Sequence, residues 1–93
     1  MDPYKVFIGQ LRDDINKPQV KDWLARRNMP KPTGIYIHPP KYAGGPQCCF
    51  LEFNSIEEAQ ACTWLEGDRD SEVTATRITA SIIVTQYGSL WSL

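Results

Sequence analysis

The run Tyr4-Lys5-Val6-Phe7-Ile8-Gly9-Gln10-Leu11 decides how the rest of the chain is read. Val6 and Ile8 alternate with Lys5 and Phe7, the period of two that belongs to a strand with one face buried. An aromatic ring on the other face of such a strand is poorly placed in water and needs a cover or a use. A second run has the same character. In Cys48-Cys49-Phe50-Leu51-Glu52-Phe53, Cys49, Leu51 and Phe53 share one face, while Cys48, Phe50 and Glu52 share the other.

The segments around these two runs complete the pattern. After the first strand, Asn16 and Gln19 are spaced as a capping box, and Ile15 and Val20 as a hydrophobic staple. Pro18 falls in the first turn, where its missing N–H costs nothing. Val20, Trp23 and Leu24 form an apolar stripe, with Lys21, Asp22 and Arg26 facing outward. Arg26 and Arg27 suit the carboxyl end of this helix, and Asp13-Asp14 and Glu57-Glu58 read as helix-start acids. Pro30 and Pro32 end the helix. Gly34 to His38 is the second strand, with Ile35 and Ile37 on one side and Tyr36 and His38 on the other. Pro39 to Gln47 carries three prolines, Gly44-Gly45, Lys41 and Tyr42, the composition of a loop. A second helix opens at Ser55-x-x-Glu58, with Ile56, Ala59, Cys62 and Thr63 as its stripe and Gly67 as its stop. Asp68 to Ser71 is a charged turn. The last strand lies within Val73 to Thr85, where Ile78, Ala80 and Ile82 alternate with Arg77, Thr79 and Ser81.

The order strand–helix–strand–strand–helix–strand specifies an α+β fold of the ferredoxin-like βαββαβ type. Its four-stranded antiparallel sheet carries both helices on one face, with the first and third strands in the middle. The expected core facing the helices is Val6, Ile8, Ile35, Ile37, Cys49, Leu51, Phe53, Ile78, Ala80 and Ile82. The opposite face displays Lys5, Phe7, Tyr36, His38, Cys48, Phe50, Glu52, Arg77, Thr79 and Ser81. With 93 residues the chain reads as a single domain, its core from about 4 to 85 and an apolar tail over 86–93.

At these residues the chain resembles the RNA recognition motif family. Val6-Phe7-Ile8-Gly9-Gln10-Leu11 is similar to its six-residue signature, with Phe7 at a stacking position. Pro46-Gln47-Cys48-Cys49-Phe50-Leu51-Glu52-Phe53 falls where its eight-residue signature belongs. The second half of that signature fits, with Phe50 as the second stacking aromatic. In the first half, Pro46-Gln47 replaces a Lys/Arg-Gly pair and Cys48 stands in place of an aromatic. The resemblance implies single-stranded RNA laid across the sheet, with single-stranded DNA as a related partner. Stacking is worth about 1–3 kcal/mol per base, and two platforms imply weak binding by the isolated domain. The candidate contacts are Phe7 and Phe50, with Tyr36, His38 and Cys48 beside them and Lys5, Lys41 and Arg77 as cations. So few cations imply a shallow salt dependence.

Composition narrows the other functions. Ten basic and eleven acidic side chains give a net charge of −1, which excludes binding driven by bulk positive charge. No apolar run is long enough to span a membrane, and Met1-Asp2-Pro3-Tyr4-Lys5 does not open as a signal peptide. Three cysteines, two of them adjacent, point away from a disulfide framework and toward a reducing compartment inside the cell, nucleus or cytoplasm, and the family resemblance implies a ribonucleoprotein component. Cys48 and Cys49 project to opposite faces and His38 is the sole histidine, so no metal or other cofactor is expected. No nucleophile is paired with a base, and no phosphate loop follows the first strand, which argues against an enzyme. The alternative function is a protein-interaction module that docks a partner through the sheet or the helical side. Another cover for Phe7 and Phe50 is the tail itself, through Tyr87 or Trp91. The family's peptide-binding members use an Arg-x-Phe before the last strand, where this chain has Arg69-Asp70-Ser71.

Overall fold

A computed structural model describes residues 4–83, and the tail residues Tyr87 and Trp91 lie outside that range. The chain runs β1 (Tyr4–Leu11), α1 (Lys17–Arg26), β2 (Gly34–His38), β3 (Gln47–Phe53), α2 (Ile56–Cys62) and β4 (Thr74–Ile83), with one 3₁₀ turn (Thr63–Leu65) after α2. The strands form one antiparallel sheet in the order β2-β3-β1-β4, so the Phe7 and Phe50 strands, β1 and β3, lie at its centre. This is the ferredoxin-like arrangement expected from the element order.

The helices cover one face because the apolar alternation leaves them only one to cover. Val6, Ile8, Ile35, Cys49, Leu51, Phe53, Ile78 and Ala80 are buried beneath them together with Val20, Trp23, Leu24, Ala59 and Cys62, and Ile37 and Ile82 pack at the margin. The start of α1 is fixed as its sequence implies. The Asn16 side chain accepts from the Gln19 N–H at 3.0 Å, and the Gln19 side chain accepts from the Asn16 N–H at 2.9 Å. At α2, Ser55 Oγ accepts from the Glu58 N–H. Gln47 begins β3 one residue earlier than its flanking loop suggested. Its buried amide donates to the carbonyls of Arg12 and Ile15, pinning the β1–α1 connection.

Two expectations need correction. Asp13 and Asp14 do not belong to the first turn of α1, which contains no acid; Asp14 instead pairs with Arg12 at 2.9 Å, and the helix begins only at Lys17, after the Asn16 cap. The strict alternation along β4 fails near its start. β1 advances two residues, from Gly9 to Leu11, while β4 advances five, from Thr79 to Thr74. Ala75, Thr76 and Arg77 are therefore consecutive and exposed. Arg77, expected on the open face, reaches the Gly67 carbonyl at 3.3 Å, beside the point where Gly67 and Asp68 pair with Ile78.

The carboxyl end of α1 is clamped to the α2–β4 connection. Trp23 is fully buried, and its indole N–H donates to Asp68 at 2.9 Å. Arg27 donates to the same Asp68 oxygen at 3.0 Å, and Arg26 and Arg27 both reach one oxygen of Asp70, at 2.6 and 3.3 Å. The Arg69-Asp70-Ser71 turn is thus occupied by internal ion pairs.

Candidate nucleic-acid interface

The open face is built as rows that cross the sheet. In the central row Ser81 pairs with Phe7, Phe7 with Phe50, and Phe50 with Tyr36. The row on one side holds Ile83, Lys5, Glu52 and Gly34; on the other side Thr79 pairs with Gly9, and Cys48 with His38. Cys48 and Cys49 do point apart, the first half-buried on this face and the second in the core.

Phe7 and Phe50 meet with centroids 5.6 Å apart and planes inclined at 61°, and His38 meets Phe50 edge-on at 5.0 Å and 84°. The result is one continuous aromatic patch from β1 through β3 to β2. The two phenylalanines face away from the core yet are half-buried, because each ring shields its neighbour. His38 and Tyr36 are exposed.

Glycine sets the posture of three rings on this side. A Cβ on Gly9 would lie 2.9 Å from the Phe7 ring, so Phe7 lies back along its own strand over that residue. Tyr36 lies over Gly34 in the same way, with a Cβ there only 2.7 Å from the hydroxyl. In the β2–β3 loop the Gly45 N–H donates to the Tyr42 carbonyl at 3.0 Å, and Gly44 has φ 78°, the geometry of a type II turn that needs glycine at its third position. Tyr42 folds back over Gly45, where a Cβ would be 2.7 Å from its ring.

Two concavities flank the patch. One, of about 730 Å³, runs between Phe7, Phe50 and His38 on the sheet and Lys41, Tyr42 and Pro46 on the loop, with Gln10 and Cys48 on its floor. The other, of about 460 Å³, is bounded by Lys5, Tyr36, His38, Phe50 and Glu52. Of the expected site residues, Phe7, Phe50, His38, Cys48 and Lys41 line the first, and Lys5 and Tyr36 join Phe50 and His38 at the second. Arg77 stands apart from both, at the Gly67 turn.

Three contributors were not singled out from the sequence. Tyr42, 66% exposed, is the loop's jaw of the larger concavity; its signal was the Tyr-x-Gly-Gly turn. Gln10 sits at the bulge of β1 with φ 72°, and Thr76 donates to its side chain at 3.4 Å. Glu52 accepts from the Tyr36 hydroxyl at 3.1 Å, which raises the Tyr36 pKa above its ordinary value and keeps the phenol a donor. Glu52 forms no ion pair among the described residues, although Lys5 is its cross-strand partner.

No family model matches the chain, and no curated protein matches it. Solved structures do match, among them one described as the MEC-8 C-terminal RRM domain bound to AGCACA. That structure is 14% identical and aligns over 94% of this chain and 98% of its own length, with a TM-score of 0.65. At such low identity the likeness speaks for architecture: this chain has the fold of an RNA recognition motif.

Proposed function

We propose that the protein binds single-stranded RNA across the open face of the sheet, with bases stacked on Phe7 and Phe50. The observation that carries the reading is the contiguous ring patch at mid-sheet, unroofed by either helix and flanked by concavities of nucleotide size. Stacking tolerates any base and needs little positive charge, which suits a chain of net charge −1. The AGCACA held by the solved neighbour of the same fold supports the reading. Lys5 and Lys41, at opposite sides of the patch, contact phosphates, and Tyr36, His38 and Cys48 add surface around the bases. Single-stranded DNA binds by the same stacking. Binding, not catalysis, is the role proposed, within a reducing compartment that keeps the thiols unpaired.

Fluorescence anisotropy with pools of short RNA oligomers tests the reading. Phe7→Ala and Phe50→Ala are each expected to weaken binding roughly fivefold to a hundredfold, the equivalent of one lost stack. Affinity unchanged in both variants, or no binding by the wild type, overturns it. A second reading, a protein partner docked on the helical side, draws on Trp64, which is 84% exposed in the turn after α2. Trp64→Ala leaves RNA affinity unaltered if the sheet is the nucleic-acid surface.

A further inference from the structure

Building on the RNA reading, we infer that Glu52 selects guanine, by accepting hydrogen bonds from the donor edge of a base lodged beside Phe50. A carboxylate in the middle of a surface offered to a polyanion is unfavourable unless it meets a donor. Glu52 is such a group. It lies one row from the Phe7–Phe50 pair, half-buried, and bounds the smaller concavity with Phe50, Tyr36 and Lys5. It forms no ion pair among the described residues, although Lys5, its cross-strand partner, and Lys17 border the same concavity. The only side-chain bond it receives among the described residues is from the Tyr36 hydroxyl, at 3.1 Å to Oε1. Tyr36 can reach it because Gly34, directly across from Glu52, has no side chain to block the ring. A carboxylate has about four lone-pair sites, so both oxygens keep acceptor capacity after that bond.

The bases differ in what they offer such an acceptor. Guanine presents two adjacent donors, N1–H and the N2 amino group, matched to the two oxygens of a carboxylate. Adenine and cytosine each present one amino group beside an acceptor that the carboxylate repels, and uracil presents one imino N–H between two carbonyls. Base edges in single strands are open to this kind of reading. Stacking on Phe50 supplies sequence-tolerant affinity, and Glu52 supplies the preference.

The test compares uridine heptamers carrying one central guanosine, inosine or adenosine, bound by wild type, Glu52→Gln and Tyr36→Phe. One guanosine in a uridine background lets the strand slide until it occupies the site. Wild type is expected to bind the guanosine oligomer roughly tenfold more tightly than the adenosine oligomer, with inosine, which lacks the N2 amino group, in between. Glu52→Gln removes the preference while binding the adenosine oligomer at least as well as wild type, since a negative charge beside the phosphates is gone. Tyr36→Phe keeps the ring but releases the carboxylate, and narrows the preference severalfold. Equal affinity of wild type for guanosine and adenosine oligomers, or a preference untouched in Glu52→Gln, overturns the inference and leaves the RNA reading standing. Failure of wild type to bind any of the three overturns both.

Discussion

Single side chains on the open face owe their positions to neighbouring residues that have none. Phe7 lies where it does because Gly9, two residues along the same strand, leaves room for the ring. Alanine at position 9 puts a methyl group in that space. The flexible ring gives way before the backbone does, so Gly9→Ala is expected to keep the fold and lose RNA affinity roughly three- to tenfold, a fraction of one stack. Thermal melting and anisotropy on the same sample separate the two effects; unchanged affinity would show that the ring's posture does not matter. The thiols make a second case. Burial pushes Cys49 and Cys62 up to about 12, so both stay protonated and unreactive near neutral pH, whereas Cys48 is half-buried on the open face. An alkylating reagent at pH 7 to 8 is expected to label Cys48 alone in the native protein and all three cysteines in denaturant. Mass spectrometry reads the count. Labelling at Cys49 without unfolding would contradict the burial of that face.

Among the elements, the link between α1 and the α2–β4 connection is the most electrostatic. The Asp70 side chain is 9% exposed and accepts from Arg26, Arg27 and the Glu72 N–H, while its backbone N–H and carbonyl engage Thr74. The hydrogen bond from Arg26 is the main cause that lowers the Asp70 pKa below the usual carboxylate value, against a smaller opposing effect of burial. A carboxylate with a depressed folded pKa stabilises the fold fully above its unfolded pKa of about 3.9, and that contribution is lost as pH falls through the folded value. Asp70→Asn is expected to destabilise the protein by about 1–3 kcal/mol at neutral pH. As pH falls from about 3.9 through the lowered folded value, the variant's stability falls less steeply than that of wild type. Urea unfolding at a series of pH values between about 2 and 6 checks both effects. Parallel pH curves for the two proteins would mean that Asp70 does not titrate as part of the clamp.

These elements were largely legible before any coordinates, since periodicity and caps are local. The strand runs, the Asn16–Gln19 box and the stop at Gly67 all follow from residues within a few positions of one another. What a local pattern does not fix depends on partners elsewhere. Asp13 and Asp14 resemble helix-start acids, but Asn16 caps the helix and Arg12 takes Asp14. Arg77 alternates with Ile78 as its sequence implies, and its bond to the Gly67 carbonyl depends on a residue ten positions away. Glu52 and Tyr42 were visible as residues without being visible as site. The bond from Tyr36 to Glu52 depends on the β2–β3 register, and the stance of Tyr42 depends on a turn whose direction no periodicity encodes.

At the scale of the whole molecule, one face of the sheet carries the core and the other is the surface proposed for binding. The helical face satisfies the apolar half of each strand and is closed at one end by the Arg26–Arg27–Asp68–Asp70 clamp. If the sheet holds RNA as proposed, the nearly balanced charge leaves affinity to stacking and shape, and discrimination to the few polar groups beside the rings. The most direct measurement is the map of backbone amide shifts during titration with a short single-stranded RNA. The expected result is a contiguous set of shifts at Phe7, His38, Cys48, Phe50 and the Tyr42 turn, with the outer residues of α1 and α2 undisturbed. Shifts gathered around Trp64 and the helices, or none at saturating RNA, would contradict it.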